Sequence, residues 1–381
     1  MPISFQLTQE QKLIQESARK FASERIFPRS KECDKEGEFP LELLEEAIGL
    51  GLVNIGMPEE FGGIGLDNVT QYMVAEELAS GCGGIATSCV VNDLGLLPIE
   101  IGATKEQKER FITPITTGKK LASFCLTEPD AGSDAGGLKC SLTKVDGGYK
   151  LNGTKQWITN GGYASQYSVF ATLDRNLGHK GICCVVVPRS AEGVSTGPHE
   201  DKLGQRASNT TQVVFEDVFV PESDRIGEEG QGFVIAMKTL DRSRPLVAAI
   251  AVGIARKAYE FAKEYALERK QFGKPIANFQ AIQHMIADMA TELDAARLLG
   301  YRAAYLLDQG KVATLESAMA KRFSADIAMK ICTDAVQIYG GNGYTKDYPV
   351  EKLFRDVKLM QIYEGTSQVQ KIVIGREVLN S

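Results

Sequence analysis

The segment 181–187, with the sequence GICCVVV, is a short apolar run that predicts a buried β-strand. The run QVVFEDVFV at 212–220 predicts a second strand. The dipeptides Asp146-Gly147 and Asn152-Gly153 stand between apolar or β-branched runs, which predicts two hairpin turns. Because no helical pattern separates these runs, residues 121–225 predict an antiparallel sheet or barrel rather than βαβ units.

Helical periodicity lies on both sides of this β region. Before it, Thr8 and Gln11 form a capping-box pattern that starts a first helix, which Pro28 is expected to end. After it, helical patterns predict long helices at Pro245–Arg269, Ile276–Leu307 and Leu315–Tyr339. A last helix is predicted from near Thr366, with Val369, Ile372, Val373 and Leu379 on its inner face.

The order α, then β, then α predicts an α+β fold of three domains. We expect an N-terminal helical domain at 1–120 and a middle β-barrel or β-sandwich domain at 121–230. The remaining helices, at 231–381, are expected to form a C-terminal domain of the four-helix-bundle type.

The composition excludes several classes of protein. The chain has 381 residues and a net charge of −6, so no basic excess favours nucleic acid or anionic lipid. No apolar run of roughly 18 residues and no signal-like start are evident, so neither a membrane span nor export is predicted. The 8 cysteines form no CxxC pair, which favours reduced thiols in the cytoplasm.

The usual motifs of nucleotide and metal chemistry are missing from the sequence. It contains neither GxxxxGK[ST] nor GxGxxG, so a P-loop and a Rossmann dinucleotide site have no support. Its 3 histidines, at 179, 199 and 284, are far apart, so no metal site and no Ser-His-Asp triad is expected. Acid–base chemistry would therefore depend on a carboxylate.

Three segments have compositions that a buried core does not explain. TEPDAGSD at 127–134 combines small residues and hydroxyls, so its backbone N–H groups could approach an anion, although a surface loop is the simpler interpretation. QWITNGG at 156–162 places the only Trp beside a Thr, which suits stacking on a flat ring as well as ordinary core packing.

The third segment is IYEGTSQ at 362–368, in which Glu364 precedes a helix capped by Thr366 or Ser367. Glu364 could be a solvated or capping residue. In an apolar setting its pKa would instead rise towards neutrality, as a general base requires, and the helix N-terminus would suit a pyrophosphate.

Taken together, five motifs resemble those of the acyl-CoA dehydrogenase family, in the family's order and across essentially the whole chain. They are TEPDAGSD, QWITNGG, ERKQFGKPIANFQAIQ from Glu268, DAVQIYGGNGY from Asp334 and IYEGTSQVQKIVIGRE from Ile362. The resemblance, of the short- or medium-chain type, implies FAD as cofactor, an acyl-CoA as substrate, electron-transfer flavoprotein as electron acceptor, and a homotetramer built as a dimer of dimers.

The resemblance also assigns residues to the cofactor. Those expected along the flavin and its phosphates are Phe124, Leu126, Thr127, Gly132 and Ser133, and those against the ring are Trp157, Ile158 and Thr159. Those expected from a neighbouring subunit are Arg269, Phe272, Gln280, Gln337, Gly340 and Gly341, whereas Thr366 and Gln368 would contact the adenosine side.

For the substrate, the resemblance points to a CoA-binding group and to a base. The residues expected at the CoA portion are Ser133, Asp241, Arg244 and Arg376, and those at the thioester are Tyr363, Glu364 and Gly365. Glu364 would remove the α-proton while a hydride leaves the β-carbon for the flavin, which yields a trans-2-enoyl-CoA in fatty acid β-oxidation. Another subgroup carries its Glu on the helix of DRSRP, where this chain has Ser243.

Two residues leave the identity of the acyl group undetermined. Val90 and Asp93 lie in the stretch expected to form the end wall of the acyl pocket, and Asp93 stands where a small hydroxyl or neutral residue is typical of the family. Asp93 could be a solvated or helix-end residue. Alternatively, it is a second acid or base that serves a cyclic or unsaturated acyl group.

Two competing functions remain at this point. A flavin oxidase or monooxygenase could use the same scaffold, and fast re-oxidation of the reduced flavin by oxygen would reveal an oxidase. A non-catalytic acyl-CoA-binding protein is the alternative from another class, and it would be colourless and fail to take up flavin.

Overall fold

The computed structural model describes residues 6–380, and helices occupy the chain up to residue 116. These helices are α1 (Gln9–Phe21), α2 (Phe27–Glu36), α3 (Leu41–Gly49), α4 (Asn68–Gly81), α5 (Gly83–Gly102), α6 (Lys105–Phe111) and α7 (Thr113–Thr116). The capping box predicted at Thr8 and Gln11 is present at the start of α1.

The expectation that Pro28 ends the first helix was wrong. One π-helical segment, Ala22–Ile26, joins α1 to α2, and Pro28 lies in the first turn of α2. The proline is tolerated there because the π segment shifts the backbone hydrogen bonds, so its missing N–H breaks no regular helical bond.

An eight-stranded sheet follows the helices. Its strands are β1 (Ala122–Cys125), β2 (Ser141–Val145), β3 (Gly148–Thr159), β4 (Gln166–Thr172), β5 (Ile182–Pro188), β6 (Val194–Thr196), β7 (Thr210–Pro221) and β8 (Arg225–Ile226). The order is β6-β7-β3-β2-β4-β5-β8, with β1 paired to β4. Both strands predicted from apolar runs are present, as β5 and β7.

The sheet is mixed rather than purely antiparallel. β1 and β4 run parallel, with Ala122 opposite Gln166, and β2 touches β4 in the same sense. Parallel pairing is possible because β1 arrives from the helical region and is separated from β4 by a long crossover, so no hairpin fixes its direction.

Of the two predicted hairpins, one is confirmed. Asp146 and Gly147 connect β2 to β3. Asn152 and Gly153 lie inside β3, where the pairing with β7 shifts between Leu151 and Gly153. This dipeptide is therefore a β-bulge, and Gly153 is required because a Cβ would lie 2.7 Å from Cys140 Sγ.

The last third of the chain is mainly helical. Its elements are α8 (Gly232–Glu268), β9 (Lys270–Gln271), β10 (Lys274–Pro275), α9 (Gln280–Asp308), α10 (Thr314–Tyr339), α11 (Val350–Val357) and α12 (Ser367–Leu379). α8 begins well before the predicted Pro245, which lies inside it. A proline in a helix interior costs about 3 kcal/mol, and the continuous burial of α8 from Ser243 to Ala255 offsets this cost.

α12 begins at the predicted cap, where the Thr366 side chain accepts a hydrogen bond from the Val369 N–H. Its predicted inner face is only partly right. Ile372 and Leu379 are 71% and 85% exposed, because the buried contacts of this helix are concentrated in its first turn, at Ser367 and Gln370.

The core runs continuously between the helical layers. Helices α4, α5, α8, α9 and α10 share one hydrophobic cluster, and the sheet contributes two more. Within residues 6–380, α5 alone has the length and hydropathy of a membrane span, and 89% of the relevant window is buried inside the fold, as in a core helix. The domain bounds proposed above stay predictions.

Candidate active site

Glu364 lies in a strained turn just before α12. Its φ is +51°, a left-handed value that is unfavourable for a residue with a side chain, and Gly365 follows with φ +90°. Two side chains hold this turn from different helices. Gln370 Nε2 donates to the Glu364 and Gly365 carbonyls at 3.0 and 3.1 Å, and Lys321 Nζ donates to the Gly365 carbonyl at 2.6 Å. Such over-determined strain is typical of functional sites.

The Glu364 carboxylate is held by one hydroxyl. Ser243 Oγ, on α8, donates to Glu364 Oε2 at 2.5 Å. Burial raises the pKa of Glu364, whereas the Ser243 hydrogen bond and the charges of Lys321 and Arg244 lower it. Burial is the largest of these effects, so this carboxylate is more basic than an exposed one, as proton abstraction requires.

Arg244 and Asp241 form a second polar group close to Glu364. Arg244 is only 5% exposed, and its Nη1 donates to Asp241 Oδ1 at 2.5 Å. Thr314 Oγ1 donates to the other Asp241 oxygen at 2.6 Å. The Nε of Arg244 is buried and has no hydrogen-bond partner, so a bound polar or anionic group could satisfy it.

Helix α5 brings the Glu364 turn and the end of β3 together. Tyr363 Oη lies 3.4 Å from Thr87 Oγ1. Asn160 Nδ2, immediately after β3, donates to the Ser88 carbonyl at 2.9 Å. Because Thr87 and Ser88 are consecutive, the segment with the catalytic candidate and the segment with Trp157 meet at one point on α5.

Trp157 presents its ring to the outside of the sheet. The side chain is 57% exposed although it lies in one of the two longest strands of the sheet, and its φ is +60°. The pairing of β3 with β7 is irregular between Lys155 and Ile158, so a bulge turns this residue outward. Ile158 is buried, and the Thr159 carbonyl accepts from Ser123 Oγ at 2.8 Å. An exposed planar ring on a rigid strand suits a flat cofactor.

The segment 127–134 lies directly beside this strand. The Gln156 N–H donates to the Thr127 carbonyl at 2.9 Å. Gly132 and Ser133 are exposed, and a Cβ placed on Gly132 would meet nothing within 4 Å. The loop therefore leaves open space at the residues predicted to accommodate phosphates. Phe124 lies in β1, and Leu126 connects that strand to the loop.

A buried ion pair anchors that loop. Lys155 Nζ donates to Glu128 Oε1 at 2.7 Å and to the Leu126 carbonyl at 3.0 Å. Glu128 also accepts from the backbone N–H groups of Lys139 and Cys140, at 2.5 and 2.9 Å. With all its charge paired inside the protein, Glu128 is a structural residue of the TEPDAGSD motif.

The residues predicted to serve a neighbouring subunit lie on the surface of the described chain. All of them are exposed, and they are Arg269, Phe272, Gln280, Gln337, Gly340 and Gly341. Phe272 is 93% exposed at the tip between β9 and β10. Gln368 is exposed on α12, and exposed Arg376 pairs with Glu377 at 2.8 Å.

Val90 and Asp93 line a cavity between α4, α5 and α8. Other lining residues are mostly apolar and include Leu52, Ile55, Val74 and Leu246. The structure thus brings Val90 and Asp93 to one cavity, and their place at the end of the acyl pocket stays a prediction. The larger surface pocket, beside Arg19 and Arg256, belongs to an ion-pair cluster around Glu77 and lies outside this site.

Sequence reasoning missed the supporting residues of Glu364. Ser243 was noted only as the replacement for another subgroup's Glu, and neither Lys321 nor Gln370 was singled out. The run Ala318–Ala320 before Lys321 was the only local signal for this residue, which is fully buried, and the adjacent Arg322 weakens that signal. Its partner, a backbone carbonyl 44 residues later, could not be read from the pattern.

Three family models match the chain consecutively. The acyl-CoA dehydrogenase N-terminal domain matches residues 8–119, the middle domain 123–218 and the C-terminal domain 230–379. The chain belongs to the acyl-CoA dehydrogenase family. The α+β architecture predicted from the sequence is the fold of that family, so this prediction is confirmed.

Curated relatives of this acyl-CoA dehydrogenase family member match over their full length. The short-chain specific acyl-CoA dehydrogenase of Clostridium acetobutylicum is 43% identical over 378 residues, which are 99% of this chain and 100% of the relative. The 3-(aryl)acrylate reductase of Clostridium sporogenes is 46% identical over 374 residues, 98% and 99% of the two chains.

Solved structures agree with this assignment. Butyryl-CoA dehydrogenase from Megasphaera elsdenii superimposes with a TM-score of 0.97 at 43% identity, covering 99% of this chain and 100% of the other. A chain in a structure of the electron-transferring flavoprotein of Acidaminococcus fermentans has a TM-score of 0.97 at 43% identity and covers 100% of both. An acyl-CoA dehydrogenase complexed with FAD from Bacillus anthracis has a TM-score of 0.92 at 34% identity, over 98% of this chain and 67% of that one.

FAD is the cofactor of this protein, as the resemblance implied. The residues present fit the group. Trp157 offers an exposed ring, Gly132 leaves space for phosphate, and α12, whose N-terminal N–H groups suit an anion, begins three residues after Glu364.

Proposed function

We propose that this protein dehydrogenates an acyl-CoA thioester between its α and β carbons to give a 2-enoyl-CoA, with Glu364 as the catalytic base. The observation that carries the proposal is the Glu364 carboxylate itself, which projects from a strained turn, is held by Ser243 and has its pKa raised by burial. Relatives named short-chain and butyryl-CoA dehydrogenases support the reaction class.

The protein's own residues carry the proton transfer. Ser243 holds Glu364 in position, and burial keeps the carboxylate basic enough to take the α-proton. The backbone N–H of Glu364 would donate to the thioester carbonyl and so favour enolate-like charge at the α-carbon. Bound FAD supplies the hydride acceptor.

The binding residues follow from the same site. The ring of FAD would lie against Trp157, Ile158 and Thr159, and its phosphates against the loop with Gly132 and Ser133. The CoA portion would lie near the Arg244–Asp241 pair, whose free Nε offers a donor. The remaining assignments are Phe124, Leu126, Thr127, Thr366 and Gln368 for FAD, Arg376 for CoA, and Tyr363 and Gly365 for the thioester.

The assembly and partners are part of the same proposal. A homotetramer built as a dimer of dimers would let the exposed residues near Phe272 and Gln337 reach the FAD of a neighbouring subunit. Electron-transfer flavoprotein is the proposed electron acceptor, supported by the matching chain in a structure of that flavoprotein. We place the protein in the cytoplasm and in fatty acid β-oxidation, and the burial of all eight cysteines as free thiols suits a reducing compartment.

Anaerobic bleaching of the flavin tests the proposal. Addition of butyryl-CoA to the holoenzyme should bleach the flavin, and Glu364→Gln should abolish bleaching while FAD stays bound. Glu16→Gln, which changes an exposed carboxylate on α1, is the matched control and should bleach like the wild type. Bleaching of the Glu364→Gln variant at the wild-type rate would refute the assignment of the base. Rapid re-oxidation in air would instead indicate an oxidase.

A further inference from the structure

A strained turn ahead of β7 packs between α5 and α11. Gln205, in this turn, is fully buried and has a φ of +48°, which is unfavourable for a residue with a side chain. Two glycines allow the close packing. A Cβ on Gly204 would lie 2.4 Å from the backbone of Arg355 on α11, and a Cβ on Gly84 of α5 would lie 3.2 Å from the backbone of Gln205. Strained backbone persists only where the surrounding structure over-determines it, which points to a role for this turn.

A buried ion pair on α11 holds the turn. Asp356 is fully buried, and its Oδ1 accepts a hydrogen bond from the Gln205 N–H at 2.5 Å. Lys352 Nζ donates to the other carboxylate oxygen, also at 2.5 Å. A buried ion pair is weak evidence of stabilisation, because desolvation offsets much of the attraction between the charges. The effect of this pair is geometric, since it fixes the backbone of Gln205 in a conformation that the chain would otherwise avoid.

The side chain of Gln205 extends from the turn to the segment that carries Glu364. Its Nε2 donates to the Asp356 carbonyl at 3.2 Å, and its Oε1 accepts from Thr87 Oγ1 at 2.8 Å. A carbonyl oxygen can only accept, so the amide has one orientation. Because the Thr87 hydroxyl gives its hydrogen to Gln205, its oxygen is left to accept from Tyr363 Oη, which lies 3.4 Å away. The direction of each hydrogen bond is thus fixed from Tyr363 to Asp356.

The contact between Thr87 and Tyr363 is long for an O–H···O hydrogen bond, and it can shorten when an acyl group fills the site. The other acceptor beside the phenol is Met360 Sδ at 3.7 Å, and a thioether sulfur accepts only weakly. Hydrogen bonding by Thr87 and Gln205 lowers the pKa of Tyr363, against a larger rise from burial. The phenol is therefore held by α5 and by the Gln205 turn together.

Tyr363 shares a peptide with the catalytic base. Its carbonyl carbon is bonded to the Glu364 nitrogen, whose N–H is the donor proposed for the thioester carbonyl. Within residues 6–380 this N–H makes no hydrogen bond. Lys321 and Gln370 hold the carbonyls that follow it, at Glu364 and Gly365. The phenol of Tyr363 holds the preceding side, so the direction of the N–H depends on both anchors.

We propose that Gln205 is a positioning residue for the dehydrogenation, which fixes the Tyr363–Glu364 peptide through Thr87 and so directs the Glu364 N–H to the thioester carbonyl. The proposal rests on the proposed function, because it concerns the same base and the same thioester. Enolate-like charge develops on the thioester oxygen as the α-proton leaves. A well-directed donor at that oxygen therefore accelerates the step more than it strengthens binding of the substrate.

Anaerobic stopped-flow reduction of the flavin by butyryl-CoA separates rate from binding. Gln205→Met keeps the length of the side chain and removes its amide. We expect the limiting rate of flavin reduction to fall about 10- to 100-fold, as for a group displaced by about 1 Å, while the dissociation constant of butyryl-CoA stays within about threefold. Thr87→Val should act in the same way, and Thr87→Ser, which keeps the hydroxyl, should recover most of the rate. Gln309→Met, the same substitution at an exposed residue after α9, is the control.

Three further readouts distinguish positioning from a general loss of structure. The double variant Gln205→Met/Thr87→Val should be no slower than the slower single variant, because both substitutions break one chain of hydrogen bonds. Isotope-edited infrared spectra of bound crotonyl-CoA, labelled with ¹³C at its carbonyl, should show the carbonyl stretch of Gln205→Met moved towards its value in free solution. The acidic limb of the pH profile should stay in place, because the groups that lower the pKa of Glu364 are Ser243, Lys321 and Arg244.

The proposal is overturned by a wild-type rate of flavin reduction in Gln205→Met, by losses that multiply in the double variant, or by an unchanged carbonyl stretch in a slowed variant. In each case bleaching of the wild type by butyryl-CoA leaves the proposed function standing, whereas a wild type that butyryl-CoA does not bleach rejects both. Bound FAD and circular dichroism establish that Gln205→Met is folded. Should it not fold, the pair Thr87→Val and Thr87→Ser, which keeps the Gln205 turn, is measured against the same expectations.

Discussion

Ser243 on α8 donates a 2.5 Å hydrogen bond to the Glu364 carboxylate, which stands 121 residues later in the turn before α12. The contact joins the longest helix of the described chain to the turn that precedes its last helix. It fixes the orientation of the base and stabilises its ionised form against the cost of burial. The pH dependence of catalysis should therefore respond to Ser243.

Ser243→Ala should shift the acidic limb of the activity profile to higher pH. A hydrogen bond to a charged group contributes about 1.5–3 kcal/mol, so its loss should raise the pKa of Glu364 by about one unit or more. Because the base must be ionised, the rate of flavin reduction falls as pH drops through that pKa. Stopped-flow bleaching by butyryl-CoA between pH 5 and 9 measures the shift. Thr333→Ala, which removes a hydroxyl from α10 away from the site, should leave the profile in place, and an unshifted profile in Ser243→Ala would count against this role.

Lys321→Met should impair both the turn and the base. The substitution leaves the Gly365 carbonyl without its 2.6 Å donor and removes a charge that lowers the pKa of Glu364. Gln370 still donates to that carbonyl, but the loss of a hydrogen bond from a charged donor costs about 1.5–3 kcal/mol, so we expect a lower midpoint of thermal unfolding together with an acidic limb moved to higher pH. Lys330→Met, which breaks an exposed ion pair on the same helix, provides the comparison. A stability loss with an unchanged pH profile would separate a structural role from an electrostatic one.

Lys155→Met should destabilise the protein and weaken its hold on FAD. The substitution leaves the Glu128 carboxylate buried without its cationic partner. Removal of one partner of a buried ion pair costs about 3–5 kcal/mol. Lys150→Met is the control, because it makes the same substitution on the same strand. The ion pair of Lys150 with Asp217 is exposed, so its loss should lower the free energy of unfolding by less than about 1 kcal/mol. Denaturant unfolding and the flavin-to-protein absorbance ratio measure the two effects, and equal losses in the two variants would contradict the loop-anchoring role of Lys155.

The stability of Asp93→Asn relative to the wild type should increase as pH rises, because the wild type loses stability when Asp93 ionises. The pKa of this carboxyl is about 7 in the folded chain, compared with about 3.9 when unfolded. Stability from the protonated group is complete below pH 4 and is lost as pH rises towards 7, up to about 4 kcal/mol by pH 8. The difference in unfolding free energy between variant and wild type should therefore be more favourable at pH 8 than at pH 5. A constant difference across this range would show that Asp93 is not held in a desolvated state.

Removal of FAD should change the fluorescence of Trp157, the only Trp in the chain. Its side chain is 57% exposed without ligand, so the apoprotein should emit like a hydrated indole. Reconstitution with FAD should quench this emission strongly if the ring lies against the flavin. Collisional quenching by iodide should fall in parallel, and an emission that FAD leaves unchanged would remove Trp157 from the flavin site.

Local signals in the sequence were sufficient for much of the architecture. The capping box at Thr8, the cap at Thr366, the Asp146-Gly147 turn and the strand at 182–188 all formed as expected, because each depends on neighbours within a few residues. The motif at 362–368, through its resemblance to the family, likewise predicts Glu364 as the candidate base.

The exceptions all depend on packing between distant segments. Pro28 and Pro245 lie within helical runs, and Gly153 forms a bulge against Cys140, because tertiary burial outweighs the local preferences of these residues. The parallel pairing of β1 with β4 was equally invisible to a local pattern.

The order of helices and strands, the family and the candidate for the base could all be predicted from the amino-acid sequence, since hydrophobic period, turn chemistry and motif spacing are local properties of the chain. The hydroxyl that holds that base, the lysine that anchors its turn and the unpaired oxygen of buried Asp93 become visible only in the folded protein. Those properties are set by desolvation and by contacts across 44 to 121 residues, and they exist only once the helices have packed.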